Sequence, residues 1–171
     1  YNDITQYNRN HLLREDDSVD GLKTGYTRVA GYGLVASAKR EGMRLISVVM
    51  GSSSTSSRKS GTRRPLNYGF RFYETATPLI GGAELAQGRV WKGRASQVAL
   101  GVITDVVLTL PRSTAEISPT IEIDAPLIAP LQAGDVVGRV VLTRAGETVG
   151  EAPLEVLEAV EPAEFFARLW D

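Results

Sequence analysis

Two apolar runs, residues 33–39 and 44–50, stand on either side of the dipeptide Glu41-Gly42. Runs this close, joined by a short glycine-containing turn, pair as an antiparallel hairpin. Both are nearly continuous in apolar residues (Leu34, Val35 and Ala36; Leu45, Ile46, Val48 and Val49) rather than alternating. That pattern belongs to central strands covered on both faces. One cover is visible downstream. Residues 58–74 are predicted to be helical, because Leu66, Phe70 and Tyr73 fall at i, i+4 and i+7 and make one apolar face. Gly61, Pro65 and Gly69 argue against an unbroken helix. The Ser-rich stretch 51–57 is expected to be a loop, as are the polar residues 1–20, and a strand-like segment approaches 21–26. The other face of the hairpin needs a second layer, and the first 77 residues contain none.

Thr77-Pro78 and Gly81-Gly82 mark a boundary. Beyond them the pattern changes to short strands divided by turn signals. Val106, Leu108 and Leu110 alternate, as do Ile121, Ile123 and Ala125, while residues 137–143 and 148–157 flank a hairpin signal at 144–147. Residues 78–161 therefore read as a small all-β sandwich or barrel. Residues 162–171 read as the start of a helix, with Pro162 at its first position and Phe165, Phe166, Leu169 and Trp170 on one side. Such a helix either docks on its own domain or lies in a membrane interface.

Composition narrows the chemistry. The chain has 171 residues, 43% hydrophobic and 23% charged, a globular balance that excludes disorder as the main state. No run of about 18 apolar residues is present, and no stretch of these residues has the pattern expected of a signal peptide. The chain begins at Tyr1 without a starting Met, and is expected to be mature, processed or cut from something longer. It has no cysteine, which excludes disulfides, thiolate metal sites and cysteine catalysis. A single histidine, His11, excludes a multi-His metal site and is expected to be a solvated surface residue. No metal or cofactor is implied. Residues 1–77 carry a net +5 and residues 78–171 a net −6, which assigns the handling of an anion to the first unit. No basic patch interleaved with aromatics is present, which argues against nucleic acid.

The chemistry concentrates at Asp20-Gly21-Leu22-Lys23-Thr24-Gly25-Tyr26-Thr27. Lys-Thr-Gly on a strand edge is one signature of penicillin-recognising serine enzymes. The order is informative: VDGLKTGYT, then GYGLVASAKREGMRLISVVMG, then a Ser-rich loop, Arg58 and a helix. Together they resemble the serine D-alanyl-D-alanine carboxypeptidases, the low-molecular-mass penicillin-binding proteins. The resemblance implies an α+β fold. Residues 1–77 are the C-terminal part of a transpeptidase-like catalytic domain, 78–161 a β-rich domain, and 162–171 the start of an amphipathic anchor. It implies that Lys23, Thr24 and Arg58 bind the terminal carboxylate of a peptidoglycan stem peptide, that Gly25, lacking a side chain, lets the substrate backbone lie against the strand edge, and that the backbone N–H of Tyr26 is an oxyanion-hole donor. It further implies acylation by β-lactams and a periplasmic location, peripheral to the inner membrane.

The departures from the family pattern are as telling. The family nucleophile is the serine of an upstream Ser-x-x-Lys motif, followed by Ser-x-Asn; Ser-x-Asn occurs nowhere here. Ser56-Ser57-Arg58-Lys59 fits Ser-x-x-Lys but follows Lys-Thr-Gly, in the wrong order. The chain alone is therefore expected to be inactive, and to self-associate through surface that the missing half would cover. A non-catalytic periplasmic binding or assembly module is the alternative. A related β-lactamase fits poorly, because of the β-rich domain and tail.

Overall fold

The computed structural model describes residues 2–124 and 126–164. The chain divides into two compact units, Tyr1–Thr75 and Ala76–Asp171.

In the first unit, β1 (Val19–Thr27), β2 (Gly31–Arg40) and β3 (Met43–Ser52) form an antiparallel sheet in the order β1-β2-β3. The β2–β3 turn is the expected one. Glu41 and Gly42 both have positive φ (47° and 83°), the backbone of a two-residue hairpin turn. Register then decides the faces. Leu34↔Val49, Ala36↔Ser47 and Ala38↔Leu45 form rows on one side, and Val35↔Val48 and Ser37↔Ile46 on the other. The first side meets α2 (Thr55–Phe72), where Leu34, Ala36, Ala38 and Met43 bury against Leu66 and Phe70. The second side is open among the described residues, with Ile46, Val48 and Met50 at 63%, 61% and 78% exposure. Coverage on both faces, expected from the apolar runs, is thus met on one face only.

The α2 helix is unbroken and starts three residues before the predicted 58. Ser54 caps it: its side chain accepts from the Ser57 N–H, and the Ser57 side chain caps the Ser54 N–H in return. The end of the Ser-rich stretch is therefore helical rather than loop. At Gly69 the helix packs against the Leu45 side chain of β3, since a Cβ there would press on Cδ1 of Leu45. Arg58, Thr62, Leu66 and Phe70 recur every fourth residue and are all buried. Tyr73 has already left the helix and is its C-cap.

Residues 1–20 are more ordered than expected. Leu12 is 1% exposed and opens a helical turn, α1 (Leu12–Glu15). Asn10 is buried, and its side chain donates to the Gly21 carbonyl (3.3 Å) and accepts from the Leu12 N–H (3.2 Å). Ion pairs add to this anchoring: Asp16 with Arg40 (2.9 Å), and Glu15 with Lys59 (2.8 Å) and Arg63 (2.7 Å). The Lys59 and Arg63 hydrogen bonds hold the Glu15 carboxyl below its ordinary pKa, and the Ser18 hydroxyl, with help from Arg40, does the same for Asp16.

The second unit is β-rich. After β4 (Tyr73–Leu79), which begins directly after α2 and runs across the boundary between the units, it contains β5 (Glu84–Trp91), β6 (Gln97–Gly101), β7 (Val106–Pro111), β8 (Ile117–Ile123), β9 (Leu127–Ile128), β10 (Val136–Arg144) and β11 (Glu147–Val156). Six strands form one sheet in the order β8-β10-β11-β6-β5-β9, with β9 parallel to β5, and β4 pairs with β7. Leu100, Val140, Leu142, Leu154 and Val156 are fully buried at its centre. The hairpin expected at 144–147 joins β10 to β11, with Ala145 and Gly146 at positive φ. The alternation of Val106, Leu108 and Leu110 turns those three inward, while Val107 is exposed. Ala125 lies outside the described residues. Pro162, expected to open a helix, instead forms a bridge with Gly93, and the Ala163 N–H donates to the Lys92 carbonyl. The rest of the proposed amphipathic helix, from 165, lies outside the described residues.

Candidate active site

The Lys23-Thr24-Gly25 motif sits in the middle of β1, and β1 is an edge strand of its sheet. Register places the motif on both faces. Lys23 lies opposite Val35 in the open-face row, whereas Thr24 lies opposite Leu34 and Tyr26 opposite Tyr32, in rows facing α2. Lys23 folds along the strand, and its Nζ donates to the Thr24 carbonyl (2.6 Å). Just before the motif, Asp20 pairs with Arg44 of β3 (2.7 Å). Arg44, and after it Ser37, hydrogen-bond within this cluster and keep the Asp20 carboxyl below its ordinary pKa. The carboxylate nearest the motif is thus already engaged by Arg44.

Arg58 reaches the same place from the first turns of α2. It is 6% exposed, and its guanidinium donates to the Arg9 carbonyl (3.1 Å) and the Gly33 carbonyl (3.5 Å). It also lies over the Tyr32 ring, 5.8 Å from the centroid, and Tyr32 in turn packs on Tyr26 with ring centroids 4.4 Å apart. A guanidinium has five N–H donors, so the two recorded contacts leave donors for a ligand.

Lys23, Thr24, Gly25, Tyr26 and Arg58, the five residues singled out from sequence, therefore line one cavity of about 590 Å³. That volume lies in the usual range of ligand sites. A Cβ on Gly25 would meet no atom within 4 Å, so the chain's own packing does not require glycine there. The sequence reading missed Arg9, Tyr32 and Thr55, and set His11 aside as a solvated residue; all four line the cavity. His11 is exposed, as expected, but faces this cavity rather than open surface. The missed signal is Asn10, a polar residue whose burial cannot be read from a polar run. The Ser-x-x-Lys copy does not converge here. Ser56 is exposed in the first turn of α2, and Lys59 is paired with Glu15. Among the described residues, no cluster of three or more His, Cys, Asp or Glu is arranged to hold a metal ion.

Chemically, an edge strand can accept an extended peptide as an additional strand. Lysine, arginine and threonine beside that edge donate charge-assisted hydrogen bonds to an anion. The arrangement fits a peptide with a negatively charged end.

Residues 1–54 match the family model described as D-alanyl-D-alanine carboxypeptidase, and residues 73–162 the model described as penicillin-binding protein 5, C-terminal domain. The chain is 42% identical over its whole length to D-alanyl-D-alanine carboxypeptidase DacA of Escherichia coli strain K12, covering 43% of that protein. It is 32% identical to DacF of Bacillus subtilis strain 168, over 95% of the chain and 42% of that protein. Among solved structures, penicillin binding protein 5 from Haemophilus influenzae superposes with a TM-score of 0.85 at 41% identity, over 94% of this chain and 48% of that one. Penicillin binding protein 6B from Escherichia coli gives 0.63 at 30% identity, over 90% and 39%. The chain spans less than half the length of the curated relatives it matches. The strand-edge motif and the β-rich unit that follows it in the sequence place this chain in the family of D-alanyl-D-alanine carboxypeptidases of the penicillin-binding protein 5 type.

Proposed function

We propose that these residues form the carboxylate-gripping half of a serine carboxypeptidase site, which removes the terminal D-alanine from peptidoglycan stem peptides and is acylated by β-lactams. The observation that carries this reading is the meeting of Lys23, Thr24 and Arg58 at one cavity beside the free edge of β1. The substrate lies along that edge, and Gly25 leaves room for its backbone. Lys23, Thr24 and Arg58 hold the terminal carboxylate by charge-assisted hydrogen bonds. The backbone N–H of Tyr26 donates to the oxyanion as the tetrahedral intermediate forms, a contribution of about 3 kcal/mol in comparable sites. A serine outside these 171 residues attacks the scissile carbonyl, expels D-alanine and forms an acyl-enzyme that water hydrolyses. The 171 residues alone are accordingly inactive. The family resemblance supports a periplasmic protein held at the inner-membrane surface by the segment that follows residue 164; among the described residues no helix is long and apolar enough to cross a membrane.

The test is penicillin acylation of the full-length protein carrying these residues. Lys23→Ala is expected to lower the acylation rate by at least a hundred-fold, in line with loss of roughly 3 kcal/mol of charge-assisted contact. Acylation at the unmodified rate would remove Lys23 from the site.

A further inference from the structure

The cations of the second unit are unevenly placed. Residues 78–171 carry seven Lys and Arg against thirteen Asp and Glu, and three of the seven, Arg89, Lys92 and Arg94, fall within six residues. All three are exposed, at the end of β5 and in the turn after it. The fold brings two other segments to this turn. The Ala129 N–H, just after β9, donates to the Trp91 carbonyl (3.0 Å). The Ala163 N–H donates to the Lys92 carbonyl and the Arg94 N–H to the Glu161 carbonyl, each at 2.8 Å. In the joined segments 89–94, 127–131 and 160–164, three cations stand against two carboxylates, Glu161 and Glu164, so this end is net positive while the remainder of the unit is strongly acidic.

The side chains here suit a boundary between water and an apolar phase. Gly88 and Val90 of β5 and Leu127 of β9 are buried, so Arg89, Trp91 and Ile128 take the opposite face. β9 runs parallel to β5 with Trp91 opposite Ile128. Ile128 is 49% exposed, Trp91 is half-buried, and the Arg89 guanidinium lies 3.9 Å from the centroid of a Trp91 ring. An indole with a cation on one face and an exposed aliphatic side chain beside it matches the headgroup layer of a bilayer, apolar below and charged above. The described chain also ends here, and the sequence continues as Phe165-Phe166-Ala167-Arg168-Leu169-Trp170. An acidic unit is repelled by an anionic bilayer unless its cationic end leads.

We infer that the end of β5, the turn after it and Ile128 form a second membrane-contacting surface, on the folded β-rich unit itself, whose ligand is the headgroup layer of anionic phospholipids. This rests on the membrane attachment proposed above for the segment after residue 164. Arg89, Lys92 and Arg94 meet the lipid phosphates, while Trp91 and Ile128 enter the headgroup layer. One interfacial contact gives weak, reversible attachment, and a basic patch next to it supplies the second signal that makes attachment stable.

The experiment measures co-sedimentation of the full-length protein that carries these residues with vesicles of phosphatidylcholine, alone or mixed with phosphatidylglycerol. Arg89→Gln with Arg94→Gln is expected to weaken binding to the phosphatidylglycerol vesicles by roughly ten- to thirty-fold, and to leave binding to phosphatidylcholine nearly unchanged. The difference between the two proteins should shrink as salt is raised. Arg112→Gln with Arg139→Gln removes the same charge from the unit outside the patch, and is expected to leave binding within two-fold of the unmodified protein by the same electrostatic argument. Lipids brominated near the headgroup should quench tryptophan fluorescence less in a Trp91→Phe protein than in the unmodified one. Unchanged binding by the Arg89 and Arg94 variant overturns this inference alone, as does equal loss from the two double variants. Failure of the unmodified protein to bind either vesicle overturns the membrane attachment itself, and this inference with it.

Discussion

Gly25 is the residue whose identity the chain's own packing leaves unexplained. Its added Cβ would enter open space, and its strand partner Gly33 lies on the same row. In a strand, alanine is favoured over glycine by roughly 0.5–1 kcal/mol, because glycine loses more backbone freedom on folding. Gly25→Ala is therefore expected to leave thermal stability unchanged or slightly raised. The same substitution should lower penicillin acylation of the full-length protein, because the methyl group occupies the space left for the ligand's backbone. Equal acylation by the alanine variant would show that no ligand passes that close. Arg58 behaves in the opposite way. It is both a buried structural group, with two backbone carbonyls as acceptors, and a cavity-lining one, so its substitution cannot separate folding from binding.

At the scale of elements, the start of α2 sets where Arg58 stands. Ser54 and Ser57 cap each other, and the Arg58 N–H donates to the Ser54 carbonyl. Removing a serine cap typically costs about 1 kcal/mol. Ser54→Ala is expected to destabilise the unit formed by Tyr1–Thr75 by that amount, read as a lower midpoint in urea with an unchanged slope. A change below about 0.3 kcal/mol would mean that the cap contributes nothing here. The cap also explains a sequence misreading. A run of serines resembles a loop because serine competes for backbone hydrogen bonds, and the same property makes it a helix opener when the fourth residue reciprocates. Gly61, Pro65 and Gly69 misled for a similar reason. Helix propensity counts them as weaknesses, but burial of the Arg58, Thr62, Leu66 and Phe70 stripe outweighs them, and at Gly69 the missing Cβ leaves room for the tip of Leu45.

At the scale of the whole molecule, the sheet of the first unit presents an apolar face with no cover among the described residues. Ile46, Val48 and Met50 stand in adjacent positions on it, and the relatives are more than twice the length of this chain. Exposed apolar strands of this kind associate. The 171-residue chain alone is expected to be oligomeric by light scattering at micromolar concentration, and Val48→Lys with Met50→Lys should return it to a monomer. A monodisperse monomer without those substitutions would refute this.

Local patterns in the sequence specify the β2–β3 hairpin, the apolar face of α2, the turn between β10 and β11, and the motif proposed to bind an anion. Each of these is local: a dihedral preference at Glu41-Gly42, a four-residue period from Leu66 to Phe70, three residues in a row at Lys23-Thr24-Gly25. Tertiary structure decided the rest. Only the β1–β2–β3 register assigns Lys23 and Thr24 to different faces, and only the burial of Asn10 turns a polar run into a wall carrying Arg9 and His11. The physical reason is the same in both cases. A residue's chemistry is fixed by its side chain, but its neighbours depend on hydrogen bonds and contacts between segments far apart in the chain. The bond from Arg58 to the Arg9 carbonyl, 49 residues away, is one that no local pattern encodes.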